Sequence, residues 1–247
     1  MIVHIQQRLG LPATDGCYVA WRALDDRGWS VRPFASLDEL EPHAEEPVIG
    51  GVGTVVGALH RLGVEPDEVD YPRALLPFLV DPDVRDRTLG WVRSSADRWP
   101  LFVKPRGGSK EFTGAVVRSS ADLARLSGLD DQLPVWVARS ADLAGRTEWR
   151  AFVIDGMVRD IRPYSGCPDG DAPTRTMIQM MANQWSSAPV SFAMDVVDLG
   201  VGGNPDWRIV ECNDGYSLAP YGLFASTYAE LLVKRWFQLT RATASWH

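Results

Sequence analysis

Apolar residues along the chain follow two spacings, one typical of short strands and the other of amphipathic helices. Alternating or continuous short apolar runs predict strands at MIVHIQQ, PLFVKP, AVVRS and PVWVARS. Helical spacing marks GCYVAWRALDDRG, PTRTMIQMMANQW and STYAELLVKRWFQL. In PVIGGVGTVVGALHRLG a strand end, a glycine turn and a helix follow one another. Strands and helices are thus interspersed, and the pattern predicts an α/β protein.

Two longer segments predict β-hairpins in the second half of the chain. EWRAFVIDGMVRDIRPYSG, residues 148–166, turns at Asp155-Gly156, a pair that favours a tight hairpin. SFAMDVVDLGVGGNPDWRIVECND, residues 191–214, has a longer Gly-Asn-Pro turn. Strict alternation along the first hairpin predicts three sets of side chains that share a face: Glu148, Arg150 and Phe152; Arg159, Ile161 and Pro163; Asp160, Arg162 and Tyr164.

Local chemistry predicts where several elements begin and where the chain divides. The segment VRDRTLGWVRSSADRW, residues 84–99, predicts a helix, and Ser119 with Asp122 has the spacing of a capping box. The Pro and Asp cluster in LLPFLVDPDVRD predicts a boundary near residue 85. Residues 1–85 are therefore expected to form a small α/β unit of their own.

Composition excludes several classes of protein. The 247 residues carry a formal net charge of -7, with a pI near 5.1, which opposes non-specific binding of nucleic acid. Three cysteines without a CxxC motif argue against a disulfide framework or a zinc knuckle. The sequence shows neither a membrane-spanning apolar run nor a secretory signal, so we expect a cytoplasmic protein.

Polar side chains replace apolar ones where the last predicted strand ends, in RIVECNDG (208–215). Alternation places Glu211 and Asn213 on one face and Cys212 on the other. The partner strand carries Asp195, with Asp198 as a rival, so that two carboxylates and an amide meet. Oxygen ligands of this kind suit Mg²⁺. The alternative interpretation is an ordinary strand end that becomes polar as it enters a loop.

A glycine-rich loop between two strands supplies cations. In FVKPRGGSKEFTGAVV, residues 102–117, Lys104 ends a strand and Lys110 lies in the loop, in a chain whose only other lysine is Lys234. Glycines let backbone N–H groups approach phosphate oxygens, and the lysines add charge. A hairpin with a basic tip is the alternative.

On the first hairpin, Arg150 and Arg162 are suited to binding a carboxylate or a phosphate, or else form a surface ion-pair ladder.

The order of these features resembles the ATP-grasp superfamily, and within it the branch named for two arginines and a lysine. The Lys-x-Phe-Thr-Gly loop of that branch is similar to residues 110–114, and the Glu-x-Asn pair to residues 211–213. The resemblance, over roughly residues 90–225, implies an α/β (α+β) fold with two subdomains that clasp ATP. We expect a preceding domain at 1–85, a nucleotide-binding subdomain at 86–138 and a C-terminal subdomain with the metal site at 139–247.

The resemblance also implies roles for individual residues. Those expected at ATP, as contacts to phosphate or through the adenine-facing strand, are Lys104, Gly107, Gly108, Ser109, Lys110, Val137 and Ala138. Those expected to bind Mg²⁺ are Asp195, Glu211 and Asn213. Those expected to act on the substrate and the reaction intermediate are Arg150, Arg162 and Lys110. The branch often has arginine at the position of Lys104, and Ala138 and Arg139 stand where an acidic residue is common on the adenine-facing strand.

The reaction implied by the resemblance is ATP-dependent ligation of a carboxylate to an amine. It passes through an acyl phosphate and releases ADP and phosphate. The expected substrates are small molecules or peptides, and neither a membrane nor nucleic acid is expected as a partner. Three alternatives remain open: an enzyme that modifies nucleic-acid ends, a kinase that phosphorylates a hydroxyl, and a non-catalytic ATP-binding module. A basic groove near Arg150 would favour the first, and a stable phosphorylated product the second.

Overall fold

A computed structural model describes residues 1–107, 111–141, 143–166 and 171–241. Within these ranges the chain forms twelve β-strands and six α-helices, arranged around three four-stranded sheets. The predicted mixture of strands and helices is confirmed. None of the helices in the described part of the chain combines the length and the apolar character needed to cross a bilayer.

The N-terminal sheet is built around one apolar strand. Strand β1 pairs in parallel with β3 and β4 and antiparallel with β2. The elements of this unit are β1 (Ile2–Arg8), β2 (Leu11–Pro12), α1 (Asp15–Asp25), β3 (Ser30–Phe34), β4 (Val48–Ile49) and α2 (Val52–Arg61). Gly63 follows α2 with a φ of 73°, a conformation that glycine adopts without strain and that ends the helix.

The middle sheet is antiparallel and has one apolar face. Its order is β5-β8-β6-β7, and its elements are β5 (Arg85–Thr88), α3 (Leu89–Ser94), β6 (Leu101–Pro105), β7 (Ala115–Val117), α4 (Ser120–Ala124) and β8 (Pro134–Arg139). Val103 and Val135 pack with Leu89 of α3 on the apolar face. Period-two alternation therefore turns Lys104 and Trp136 to the opposite face.

The helix predicted over residues 84–99 is wrong in its first part. Arg85–Thr88 is strand β5, which pairs with β8, and only Leu89–Ser94 is α-helical. Pairing with a strand about fifty residues away overrides the local preference, because β structure depends strongly on its neighbours. The predicted capping box is confirmed, since the Ser119 N–H donates to the Asp122 carboxylate (3.0 Å) at the start of α4.

The C-terminal sheet consists of the two predicted hairpins, which are confirmed. Its order is β10-β9-β11-β12, and its elements are β9 (Glu148–Ile154), β10 (Met157–Ser165), α5 (Arg175–Ala182), β11 (Ser191–Asp198), β12 (Trp207–Asp214) and α6 (Ala225–Thr240). The first hairpin turns at Asp155 and Gly156, which have φ values of 52° and 72°.

A bulge in β10 corrects the predicted alternation. The register shifts between Val158 and Asp160, so that Arg159 has no partner position on β9. Arg159 forms an ion pair with Glu230 of α6 (3.1 Å), whereas Ile161 packs in the apolar cluster on the other face of the sheet. Arg159 and Ile161 therefore do not share a face, because the extra residue reverses the alternation.

The two faces of the C-terminal sheet contact different parts of the molecule. One face packs against α5 and the short helical turn at 73–78, through Ile178 and Leu75. On the other face, Phe152 joins a cluster that includes α6 and the N-terminal unit. Helix α6 lies close to α1, since a Cβ atom on Gly16 would clash with Tyr228 Oη. The N-terminal unit and the C-terminal sheet thus share one core.

The segment before the predicted boundary at residue 85 also contacts the C-terminal sheet. Leu79 forms a parallel bridge with Ile209, and the Val80 N–H donates to the Ile209 carbonyl (2.9 Å). The division at residues 85 and 138 stays a prediction.

We expect Asp214→Asn to lower the free energy of unfolding by about 3 kcal/mol, because it would leave a guanidinium buried without its carboxylate. Arg235 of α6 binds Asp214 with two hydrogen bonds of 2.6 Å, and the two side chains are 5% and 7% exposed. Urea unfolding measures the loss. The matched control is Asp155→Asn, which breaks a more exposed pair with Lys234 and should cost less than about 1 kcal/mol. Equal losses would contradict the prediction.

Candidate active site

Four charged residues, one on each strand, form a single row across the C-terminal sheet. The register pairs Arg162 with Arg150, Arg150 with Asp195, and Asp195 with Glu211. Directly opposite residues on adjacent strands point to the same face, so two positive and two negative side chains lie next to one another. We call these four residues the charged row. It includes both predicted arginines and two of the three predicted metal ligands.

A bulge in β12 turns Glu211 into the row. Ile209 and Cys212 both pack in the apolar cluster, although strict alternation would put residues three apart on opposite faces. The register shifts between Asp195 and Val196, which leaves Val210 as the extra residue. Without this bulge, Glu211 would point at the apolar core, where an unpaired carboxylate is costly.

The centre of the row is a buried ion pair. Arg150 donates from Nε to Asp195 Oδ1 and from Nη2 to Oδ2, both at 2.7 Å. Their side chains are 6% and 1% exposed. Burial opposes the charge of Arg150, but the Asp195 carboxylate outweighs it and raises the pKa of the guanidinium. Arg150 is therefore a fixed cation.

Two tyrosines enclose the outer side of this cation. The Arg150 Cζ lies 4.3 Å from the Tyr164 ring centroid and 5.2 Å from that of Tyr221. A guanidinium near an aromatic face is attracted by the ring quadrupole.

Glu148 accepts from Ser165 Oγ (3.2 Å), so the ion-pair ladder between Glu148 and Arg150 is not the arrangement found.

Arg162 is the more accessible arginine of the row. Its Nε and Nη2 bind Asp160 Oδ2 at 2.8 and 2.6 Å, and its side chain is 33% exposed. Its Cζ lies 5.9 Å from the ring of Phe224, which is itself 72% exposed. The row thus has one immobilised guanidinium and one at the surface.

The three predicted metal ligands come together, but they are not equally available. Asn213 Nδ2 donates to Asp195 Oδ2 (3.0 Å) and to Glu211 Oε1 (3.3 Å), which leaves the amide oxygen for another partner. Both Asp195 oxygens are engaged by Arg150. In the described ranges, no group of three or more His, Cys, Asp and Glu residues could hold a metal ion. The chemistry fits a hard cation at Glu211 and Asn213, with Asp195 holding Arg150.

Asp198, the rival of Asp195, lies away from the row. Its Oδ1 accepts from the N–H groups of Gly200 (2.8 Å) and Asp206 (2.7 Å) and so closes the hairpin loop. Its register partner is Trp207, four residues from Glu211. Asp198 therefore stabilises a turn.

Lys104 reaches the row from the middle sheet. Its Nζ lies 2.7 Å from Glu211 Oε2 and 2.9 Å from Asp70 Oδ1. Burial alone would lower the pKa of Lys104, but the Glu211 and Asp70 carboxylates outweigh it and raise the pKa. The cleft between the two sheets is thus bridged by a charged lysine.

Sequence reasoning missed the carboxylates opposite Lys104. They lie in EPDEVDY, residues 65–71, which we call the acidic segment. Besides Asp70, this segment contributes Glu68, which accepts from the Gly107 N–H (3.1 Å) and from Arg106. Four carboxylates within six residues were the available indication, and no periodicity pointed to the cleft.

The remaining predicted nucleotide contacts are placed in part. Val137 packs in the apolar core of the middle sheet, so only its backbone could meet a ligand, and Ala138 pairs with Phe102. Trp136 faces the cleft, where its Nε1 donates to Glu68 (2.8 Å). The predicted residues that lie outside the described part of the chain are Gly108, Ser109 and Lys110.

We expect Lys104→Met to lower the free energy of unfolding by about 3 kcal/mol near pH 8, because two partly buried carboxylates lose their cation. In the parent, the raised pKa keeps Lys104 charged, so its contribution is constant below the unfolded-state pKa of about 10.4. Burial raises the pKa of Asp70, and Lys104 opposes that rise; in the variant this opposition is lost, the pKa of Asp70 rises further, and its protonation then favours the folded state.

The loss should therefore shrink as the pH falls from about 8 to about 5.5, because Asp70 takes up a proton in the folded variant. Urea unfolding of parent and variant at both pH values measures it. A loss of equal size at both values would show that the charge of Asp70 does not depend on Lys104.

Comparison with known proteins gives the family of the chain. Residues 81–231 match the model of an ATP-grasp domain, family 2 of the clade named for two arginines and a lysine. No curated protein matches the sequence. The family model covers more than half of the chain, and the match extends over the middle sheet, the charged row and part of α6.

Solved structures share the fold at low sequence identity. A D-alanine–D-alanine ligase from Bacillus anthracis is 12% identical with a TM-score of 0.57, over 97% of this chain and 98% of the other. A RimK domain ATP-grasp protein from Sphaerobacter thermophilus DSM 20745 is 16% identical with a TM-score of 0.57, over 94% and 99%. An N5-carboxyaminoimidazole synthetase from Staphylococcus aureus is 11% identical with a TM-score of 0.53, over 95% and 77%. The fold is that of ATP-grasp enzymes, and the chain belongs to the ATP-grasp clade named for two arginines and a lysine.

Proposed function

We propose that this protein is an ATP-dependent ligase that joins a carboxylate to an amine through an acyl phosphate, releasing ADP and phosphate. One observation carries the proposal: in a chain of this ATP-grasp clade, the charged row meets Lys104 across a cleft between two sheets. Phosphoryl transfer depends mainly on positioning and on neutralising charge, and fixed cations beside carboxylates serve both needs.

Each residue of the site has a distinct task in this proposal. Lys104 offsets phosphate charge, and the backbone N–H of Gly107 donates to a phosphate oxygen. Arg150 is held by Asp195 through Nε and Nη2. Its Nη1 group takes no part in that pair and faces the oxyanion that forms when the amine attacks the acyl phosphate. Arg162, which is more exposed, binds the substrate carboxylate.

Glu211 and Asn213 are the proposed ligands of Mg²⁺, which when bound with ATP would neutralise phosphate charge. Their oxygens lie on the cleft face, whereas Cys212 is buried in the opposite core. Asp195 acts in this proposal as a positioning residue that holds Arg150 and accepts from Asn213. The proposed role of Asp195 therefore differs from the one implied by the resemblance: it binds Arg150 and is not a ligand of the metal.

The proposed substrates are small-molecule or peptide carboxylates and amines. ATP-grasp enzymes with related folds include a ligase of D-alanine to D-alanine, and Arg162 beside the exposed ring of Phe224 offers a charged and an apolar contact. The acidic overall charge argues against nucleic acid as a substrate.

A screen for ADP release over amino acids, small peptides and amines tests the reaction. Ligation predicts ADP release that requires both an acid and an amine, and a product whose mass equals the sum of the two substrates less one water. A stable phosphorylated product would instead show a kinase. ATP binding without turnover on any pair would favour a nucleotide-binding module.

We expect Glu211→Gln and Asn213→Ala to weaken Mg-ATP binding at least about tenfold, because each removes a proposed oxygen ligand or its charge. Cys212→Ala is the matched control on the same strand, since its thiol lies in the core on the other face. Calorimetric titration with a non-hydrolysable ATP analogue and Mg²⁺ measures the change. Full binding by Glu211→Gln, or selective loss in Cys212→Ala, would refute the metal assignment.

We expect Arg150→Lys to lower kcat by about 10²-fold, the scale of losing one oxyanion donor. An ammonium cannot reproduce the two-armed contact with Asp195 and still face the oxyanion. The Kd for nucleotide should stay within about twofold of the parent, since the proposed role is in the transition state. The measurements are kcat for ADP release and the Kd for nucleotide in parent and variant. An unchanged kcat would show that Arg150 has a structural role, and a loss of nucleotide binding would show that Arg150 contacts the nucleotide.

A further inference from the structure

The acidic segment lies across the cleft between the middle and C-terminal sheets. On one side, the Cys212 N–H donates to the Asp70 carbonyl (2.9 Å). On the other side, the Tyr71 and Trp136 rings meet edge to face at 5.2 Å between centroids. The segment therefore contacts both walls of the cleft that the proposed function gives to ATP.

The carboxylate of Glu68 is surrounded by N–H donors. It accepts from Arg106 Nε at 3.0 Å and Nη2 at 2.6 Å, from the Gly107 N–H at 3.1 Å, and from Trp136 Nε1 at 2.8 Å. Burial alone would raise the pKa of Glu68, but the hydrogen bonds from Arg106 and Gly107 outweigh it and lower the pKa. A guanidinium, a glycine N–H and a ring N–H around one anion form the kind of site that also receives phosphate oxygens.

The second carboxylate of the segment occupies the lysine. Asp70 Oδ1 lies 2.9 Å from Lys104 Nζ, which is also held by Glu211. The two cationic side chains described at the glycine loop, Lys104 and Arg106, are thus both paired with the acidic segment. A polyphosphate could make the same contacts only after these carboxylates had moved.

We infer that the acidic segment is an internal competitor of the nucleotide, whose Glu68 and Asp70 must leave the glycine loop and Lys104 before phosphates can bind. The inference rests on the proposed nucleotide site and adds its regulation. The acidic segment makes nucleotide bind more weakly than it would to the same donors without a competitor. The apparent affinity is scaled by the fraction of molecules in which the segment is displaced.

The structure of the segment suits such an exchange. Residues 65–71 form neither helix nor strand, and the side chains of Glu68 and Asp70 are only 22% and 17% exposed because they turn toward the cations. Val69 is buried and Tyr71 packs against the apolar cluster, but the side chains of Glu68 and Asp70 are held by polar contacts, which open at a lower cost in free energy than a packed core does. Released carboxylates would be solvated by water. Lys104, still beside Glu211, and Arg106, still paired with Asp86 (3.0 Å), would then meet a ligand of greater negative charge.

The test compares Glu68→Ala with Glu65→Ala by calorimetric titration with Mg²⁺ and a non-hydrolysable ATP analogue. Glu65 lies in the same segment and loses the same charge, but it is 83% exposed and pairs with His60. Glu68→Ala should bind the nucleotide with a Kd about tenfold lower than the parent, because a charged competitor is gone. Glu65→Ala should remain within about twofold of the parent.

Hydrogen exchange in the parent gives an independent measurement. Nucleotide should speed exchange of the amides in 65–71, since the segment is released. If the parent binds nucleotide but Glu68→Ala binds no tighter, or if nucleotide slows exchange in the segment, this inference fails and the proposed function stands. If neither the parent nor Glu68→Ala binds nucleotide, the proposed function fails as well.

Discussion

The buried pair of Arg150 and Asp195 is the interaction that most constrains the C-terminal sheet. Removing each charge from water costs several kcal/mol, and only the paired, two-armed geometry offsets it. A slip of one residue between β9 and β11 would turn one of the two charges into the apolar cluster and Ala151 or Met194 out of it, leaving the other charge without its partner. The pair therefore fixes the register, and the register aligns Arg162 and Glu211 with it in one row.

The same face of the sheet is apolar where α6 covers it and charged where the cleft begins. Phe152 and Ala193 lie next to the charged row and pack in the core shared with the N-terminal unit. At the end of β12, Arg235 of α6 binds Asp214 and so ties that helix to the strand that carries Glu211. The apolar core that holds α6 in place thus also determines how far the charged face extends. The site lies where the apolar contact with α6 ends and the charged row begins.

The parts of the molecule predicted from sequence are those that local chemistry determines. Asp155-Gly156 indicated the first hairpin, because positive φ at both residues suits this pair, and alternation indicated the common face of Glu211 and Asn213. Strand β5 and the bulges at Arg159 and Val210 depend on distant partners, so no local pattern contained them. The role of Asp70 was hidden for the same reason: it lies 34 residues from Lys104 in the chain.

The charges of the cleft explain why its lysine and its acidic segment belong together. Glu211 already has Lys104 as a counterion, and Asp195 has Arg150, so the row is close to neutral without any ligand. A second carboxylate, Asp70, adds negative charge beside Lys104, whose raised pKa reflects both neighbours. Under the proposed function, a polyphosphate entering this cleft would exchange one set of anions for another and would leave the apolar packing beneath the row unchanged. In such an exchange Lys104 and Arg106 would change partners, and the fixed Arg150–Asp195 pair would keep the row in the same position whichever partner is bound.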